Sequence, residues 1–377
     1  MLVTRSSMRK QFLHSAPQMA GRSATPTIDE YLRKRLMPVE GAIPRLAGIE
    51  MYGNSLPAGQ VGGDLFEYIN FQQRYNIDAR IARAHRLASE YLEPLPEGMH
   101  PRNEVDLHVQ WMESKPDYTA VDTAQYRKAK CTEQRRIAEN LRELYTTAGV
   151  LLVDAEGHGI IAAKIASTVH DTFHALMLSE LDRNGKTTTD LIEKINLRLA
   201  QSVTARNALG GSTDASREIA TMLYGEINPD GDFRFVNFGH PPPLVFSAEY
   251  GKFVEMDKDR MVHFFSLGLE IPEDNPDRSK YVSIQLRKRQ LDFSDVGEIT
   301  LMGRGDILFL YTDGVYDGSD EQDRHEIERI IREQKLGPVK TICDAILGYA
   351  LKKDQYLLQI GETDRIDDKT VFIIRRV

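Results

Sequence analysis

The chain has 377 residues, enough for one large domain with additions or for two modest ones. Its apolar fraction of 41% and charged fraction of 28% are ordinary for a soluble globular protein, and no uncharged apolar run approaches the length that crosses a bilayer. A formal charge of -8 argues against general nucleic-acid binding, which draws its affinity from a basic surface.

The first 26 residues carry Arg5, Arg9, Lys10 and Arg22 without an apolar segment, so they read as a disordered basic tail and not as a secretory signal. Cys131 and Cys343 form no metal-binding spacing and point to a reducing, cytoplasmic compartment. Order is expected from Thr27, where Thr27 and Glu30 make a capping box for a helix through Leu36 that stops before Pro38. Leu46 to Tyr52 alternates as a strand does, and the turn Gly59 to Gly63 leads through Asp64 into a second strand, Leu65 to Ile69.

Residues 71–147 differ in character. Ile81, His85, Leu87 and Tyr91 make one helical pattern, Pro94 and Pro96 break it, and Ala124 to Leu144 makes another, rich in Lys, Arg and Glu. This segment reads as a helical insertion that folds by itself or packs on the core. It is expected to regulate the protein or form a dimer contact, and to supply no metal ligand.

Ala148 to Val153 is an apolar run ending at Asp154, as a buried strand would be. A helix should follow Gly159, with Ile165, Val169, Phe173 and Met177 on its apolar stripe, and a further helix should span Thr188 to Leu199. Strands are expected at 219–227, 232–238 and 244–247, the first two joined by the Asn228-Pro-Asp-Gly231 turn. Glu270 to Gly303 reads as an extended loop. A buried strand, 306–312, ends at Asp313; helices near 323–333 and 339–351 and a last strand at 370–375 complete the chain.

Three of these strands share one design. Asp154 ends one, Asp313 follows another, and Asp367-Asp368 precede the last. A carboxylate at the end of an apolar strand sits at the rim of a sheet. Several such rims brought together form a cluster of like charges that a cation must neutralise, and oxygen-only donors suit Mg²⁺ or Mn²⁺. No His/Cys zinc spacing competes with this reading. Each acid alone could be a turn former; the set is harder to explain that way. His158 reads as a turn-packing residue and His240 as a residue that packs the loop before three prolines.

Val61-Gly-Gly-Asp64, Asp154-Ala-Glu-Gly-His-Gly159, Tyr224-Gly225, Val236-Asn-Phe-Gly-His-Pro-Pro-Pro243, Gly305-Asp306, Tyr311-Thr-Asp-Gly-Val315 and Asp367-Asp-Lys-Thr370 occur in this order. In that order they resemble the motifs of PPM-type metal-dependent Ser/Thr protein phosphatases, and most of all the SpoIIE/RsbU-like branch. The resemblance runs from Arg45 to Asp64 and from Gly149 to the C-terminus. It implies an α+β fold, an α-β-β-α sandwich of two antiparallel sheets flanked by helices, built from residues 27–70 and 148–377 with 71–147 inserted. It implies two Mn²⁺ or Mg²⁺ ions, held by Asp64, Asp154 in the bridging position, the carbonyl of Ala155, Asp313 and Asp367, with Asp317 available to help hold a third. The implied reaction is hydrolysis of phosphoserine or phosphothreonine on a protein by a metal-activated water, without a phosphoenzyme. The implied partner is a phosphorylated regulator of the anti-anti-sigma type, within a partner-switching pathway.

The chain departs from the pattern in two places. Leu65-Phe-Glu-Tyr68 stands where relatives often have aromatic-aromatic-Asp, and about 90 residues separate Asp64 from Asp154, far beyond an ordinary loop. A catalytically silent phosphatase fold that binds a phosphorylated partner is the competing reading, and the retained acids argue against it. Gly62-Gly-Asp64 alone is too short to mark a cyclic-dinucleotide synthase.

Overall fold

The computed structural model describes residues 43–59, 61–92, 120–157, 159–188, 219–256, 263–268 and 297–377, together with 191, 194, 195, 198 and 199. The expected tail, the Thr27 helix, His158 and residues 270–296 of the expected long loop lie outside these residues.

In chain order the elements are β1 (Ile49–Leu56), β2 (Asp64–Asn70), α1 (Phe71–Tyr75), α2 (Ile77–Leu92), α3 (Ala120–Glu143), β3 (Ala148–Ala155), α4 (Gly159–Asn184), β4 (Ala220–Ile227), β5 (Asp232–Phe238) and β6 (Leu244–Ser247). Then come β7 (Lys252–Val254), β8 (His263–Phe264), β9 (Gly297–Thr300), β10 (Ile307–Tyr311), α5 (Glu321–Gln334), α6 (Val339–Ile360) and β11 (Lys369–Arg376). One sheet is antiparallel in the order β1-β11-β10-β6-β7. The other runs β2-β3-β4-β5, also antiparallel, with β9 antiparallel and the short β8 parallel against β5.

The two sheets face each other across a shared core. Met51, Phe66, Leu152, Phe235, Leu310 and Phe372 lie in it, drawn from strands of both sheets. Side chains alternate along a strand, so neighbouring residues point the other way, into helical layers. Leu151 and Val153 join a cluster with Val169, Phe173 and Met177 of α4, while Phe309 and Ile373 pack with Ile331 of α5 and Ile342 and Ile346 of α6. Burial on both faces explains why β3 and β10 read as unbroken apolar runs. The fold is therefore the expected α+β sandwich, with the parallel β5–β8 pair as the one departure from wholly antiparallel sheets among the described residues.

Several boundaries move. β1 starts three residues later than the alternation suggested, because Leu46 forms only an isolated bridge to Ile49. The strand β9 occupies part of the stretch read as a loop, and α6 runs on to Ile360, where Gly361 at φ 83° caps it. α2 and α3 pack against each other between β2 and β3. Phe71 and Tyr75 of α1, Ile77 of α2 and Ile137 and Leu141 of α3 are buried in the same cluster as α4. These helices are thus part of one helical layer and not a detached unit.

Candidate metal centre

The start of β2 and the end of β3 meet at one edge of their sheet, where the register sets Asp64 directly opposite Asp154. The end of β10, the start of β11 and the end of β1 meet at the corresponding edge of the other sheet. Asp313 lies two residues beyond β10 and Asp367 two residues before β11, both exposed on the rim, whereas Asp64 is buried and Asp154 half-buried.

Hydrogen bonds tie the two sheets together here. The hydroxyls of Thr312 and Thr370 both donate to Asp64 Oδ2 at 2.7 Å, and the Thr370 amide donates to Thr312 Oγ1 at 2.9 Å. Asp368 turns inward. Its carboxylate accepts from the amides of Ala58 at 2.6 Å and Gly63 at 2.5 Å, clamping the glycine turn before β2 onto the start of β11. Two glycines are required by close approach: a Cβ on Gly62 would lie 2.4 Å from the Asp368 carboxylate, and one on Gly314 would lie 2.0 Å from the Asp368 carbonyl oxygen.

The acids sense one another. Burial pushes the Asp154 carboxyl up to about 9, reinforced by the charges of Asp64, Asp313, Asp367 and Asp368. Burial likewise pushes Asp64 up to about 8; the two threonine hydrogen bonds oppose this, and Asp368 and Asp367 add to it. Asp313, exposed at the rim, is raised by partial desolvation of its carboxylate there and by Asp367. Groups held this far from their ordinary range by burial and mutual repulsion are what a divalent cation relieves, and the donors are all oxygen. The residues fit hard divalent cations.

Asp64, Asp154, Asp313 and Asp367 are therefore brought to one rim. Ala155 is there too, its amide donating to the Gly63 carbonyl at 3.3 Å. Asp317 behaves differently. Its carboxylate accepts from the Ser319 amide and hydroxyl and from the Asp320 amide, which lower its pKa, so it is engaged in its own turn.

His240 is buried, with its amide donating to Asn237 Oδ1 at 2.8 Å and its Nδ1 2.8 Å from Thr221 Oγ1. Burial drives its pKa down to about 3, so it stays neutral, and its main chain is held by Asn237, whose Nδ2 donates to the His240 carbonyl at 2.9 Å. The expected packing role stands on that geometry.

Sequence reasoning gave no role to Thr312 and Thr370, and it grouped Asp368 with Asp367 as a rim acid although its carboxylate turns inward. The signals were a Thr next to each strand-end acid and the Asp367-Asp368 doublet, one carboxylate facing out and the other serving the fold. Contrary to the expectation that no zinc-type spacing competes, His170 and His174 form an i, i+4 pair of the kind that zinc sites use. Glu67, His170 and His174 bring ligating atoms within 4.8 Å of one another, which no three of the rim acids do among the described residues. A cavity of about 610 Å³, lined in part by Glu143, Lys186, Tyr224 and Asp232, is lined by none of the rim acids.

No helix among the described residues is long and apolar enough to cross a membrane. No curated protein is detectably similar to this chain. Among solved structures, the chain is similar to the RsbU and RsbW domains of Rv1364c from Mycobacterium tuberculosis, at 15% identity and a TM-score of 0.47, covering 90% of this chain and 63% of that one. It is similar to the PP2C phosphatase domain and regulatory fragment of SpoIIE from Bacillus subtilis, at 13% identity and a TM-score of 0.46, covering 88% of this chain and 64% of that one. It is also similar to the PP2C domain of SiaA from Pseudomonas aeruginosa, at 12% identity and a TM-score of 0.43, covering 86% of this chain and 85% of that one. The chain spans less than two thirds of the first two structures. The sequence profile of the family described as Stage II sporulation protein E (SpoIIE) matches residues 146–377, more than half of the chain. The chain belongs to the SpoIIE family of PPM-type phosphatase domains.

Proposed function

We propose that this chain hydrolyses phosphoserine or phosphothreonine on a protein, with Asp64, Asp154, the Ala155 carbonyl, Asp313 and Asp367 holding two Mn²⁺ or Mg²⁺ ions. The observation that carries this reading is the pairing of Asp64 with Asp154 across β2 and β3, with the charges of Asp313 and Asp367 acting on Asp154 from the other sheet. Bound there, the cations supply a water nucleophile at neutral pH and neutralise charge on the phosphoryl group.

The chain's own residues do the rest. Thr312 and Thr370 hold the Asp64 carboxylate in one orientation, so it meets a cation without reorganising. Asp368 fixes the glycine turn, and Gly62 and Gly314 leave room for backbone where a side chain would intrude. Asp313 and Asp367, exposed on the rim, can be approached from solvent by a protein-borne phosphate. Neither cysteine belongs to this site, and both are buried and unpaired, so no thiol nucleophile is called for. Asp317 becomes a ligand to a third ion only by leaving its turn. The substrate is a phosphorylated regulator of the anti-anti-sigma type, and the compartment is the cytoplasm; membership of the SpoIIE family supports the first and the free thiols support the second.

The test is hydrolysis of a generic phosphomonoester and of a phosphoserine peptide by the purified chain. Turnover should require Mn²⁺ or Mg²⁺, stop in excess EDTA and return when Mn²⁺ is restored. Hydrolysis undiminished in EDTA overturns the two-metal reading. Cation binding without any hydrolysis would leave a protein that only binds phosphorylated partners.

A further inference from the structure

On β2, Leu65 and Ile69 face the helical layer while Phe66 and Tyr68 face the sandwich core, so Glu67 also faces the helices. There it meets α4. Glu67 Oε2 lies 2.9 Å from His170 Nε2 and 2.5 Å from His174 Nε2. The two rings stand edge to face, with centroids 4.4 Å apart, as residues one helical turn apart do. All three side chains keep 12–16% of their surface open, enough for a small ion to enter.

We propose that Glu67, His170 and His174 form a binding site for one divalent transition-metal ion of the zinc class, separate from the carboxylate rim. Two imidazoles and one carboxylate favour Zn²⁺ and its transition-metal neighbours over Mg²⁺ or Ca²⁺, and three protein ligands leave a fourth position open. Ligands about 2.0–2.1 Å from a tetrahedral ion stand roughly 3.4 Å apart. The Glu67 oxygen and the ring nitrogens therefore need to separate by less than about 1 Å each, a motion within side-chain reach.

The outer contacts suit this use. A histidine that binds a metal through Nε2 carries its hydrogen on Nδ1 and needs an acceptor there. His170 Nδ1 lies 3.3 Å from Asp171 Oδ1, and His174 Nδ1 lies 2.5 Å from the Tyr75 hydroxyl. Arg74 stands 3.6 Å from the other Glu67 oxygen. Protonation states are favourable as well: burial works to raise Glu67, but the bonds from both histidines outweigh it and hold the carboxylate ionised. Burial lowers His174 in spite of Glu67, which favours the neutral ring that a metal needs. Without an ion the same groups make a hydrogen-bonded ionic cluster joining α4 to β2, and that is the alternative to be tested.

Glu67 is three residues from Asp64, about 10 Å along the strand. An ion here would pin β2 and α4, the elements that carry or follow Asp64 and Asp154, and through Tyr75 it would reach α1.

The experiment uses the full chain stripped of metal and then saturated with Mg²⁺ to fill oxygen-only sites. Titration with Co²⁺ should give one equivalent of intense visible absorption, as a four-coordinate ion with imidazole ligands produces, and Zn²⁺ should abolish it by displacement. The band should persist in Asp154→Asn, which damages only the rim. It should be lost in His170→Gln and in His174→Gln, and Tyr75→Phe should weaken Co²⁺ binding about tenfold. Glu67→Gln, which keeps shape and volume, replaces either histidine variant that fails to fold by circular dichroism, and the band should be lost there too. A parent protein that shows no intense band, or a band that survives in the folded His or Glu variants, overturns the proposal.

Discussion

Stability of the metal-stripped protein should fall as pH rises, and Asp154→Asn should remove much of that fall. Above about pH 4 the unfolded chain holds Asp64 and Asp154 as carboxylates. In the folded protein Asp64 is pushed to about 8 and Asp154 to about 9, chiefly by burial, so the native state keeps protons that the unfolded state has released. A group whose folded pKa is raised in this way destabilises the fold progressively from its unfolded pKa up to its folded one. One retained proton is worth about 1.4 kcal/mol per pH unit, hence about 3 kcal/mol between about pH 5 and about pH 7. At roughly 2 °C per kcal/mol for a chain of this size, Tm should drop by about 6 °C over that interval for each proton retained. The amide of Asp154→Asn mimics the protonated acid, so its Tm should change less across the same range, and above about pH 7 the variant should melt higher than the parent. The assay is thermal unfolding in EDTA at a series of pH values, parent against variant, so that groups remote from the rim cancel in the difference, which reports Asp154 together with the acids that sense it. Parallel curves for the two proteins would refute the claim that the folded protein, chiefly by burial, keeps Asp154 protonated.

Cation binding should reverse this dependence. Below about pH 8 the ions must displace protons from Asp64 and Asp154, so calorimetric titrations with Mn²⁺ in buffers of different ionisation enthalpy should reveal proton release, and affinity should rise with pH. Asp313→Asn and Asp367→Asn should each lower turnover at least about 100-fold while leaving far-UV circular dichroism unchanged; Asp317→Asn, whose carboxylate serves its own turn, should cost far less. Gly314→Ala should destabilise by about 2 kcal/mol or more and abolish turnover, because its Cβ would sit 2.0 Å from the Asp368 carbonyl oxygen; denaturant unfolding and a phosphatase assay check both. Leu141→Ala in α3 should cost about 2–5 kcal/mol, since this fully buried side chain joins the inserted helices to the α4 layer. Stability unchanged in that variant would show that the Leu141 contact contributes nothing to the fold.

What could be read from the sequence was what short stretches of chain decide. β3 and β10 are buried on both faces, so they read as apolar runs, and the acids that end them stood out because a charge cannot continue such a run. β5 and β6 were placed to the residue, since the Asn228–Gly231 turn and the prolines after His240 punctuate them. Strands of two to four residues, β7, β8 and β9, carry too little pattern to see and exist because β5 and β6 offer them edges. The position of α2 and α3 was also beyond reach: an apolar stripe on a helix says that it packs, but not on what.

The site divides in the same way. Which acids stand at strand ends is a local property. That Asp64 lies opposite Asp154 is a matter of register between strands separated by 71–147, and hydrogen bonding between distant segments sets it. Only the fold assigns the two members of the Asp367-Asp368 doublet, one to the exposed rim and one to the amides of Ala58 and Gly63. The meeting of Glu67 with His170 and His174 is likewise tertiary. The sequence placed two histidines one helical turn apart, but a carboxylate about a hundred residues earlier becomes their neighbour only because β2 and α4 pack face to face.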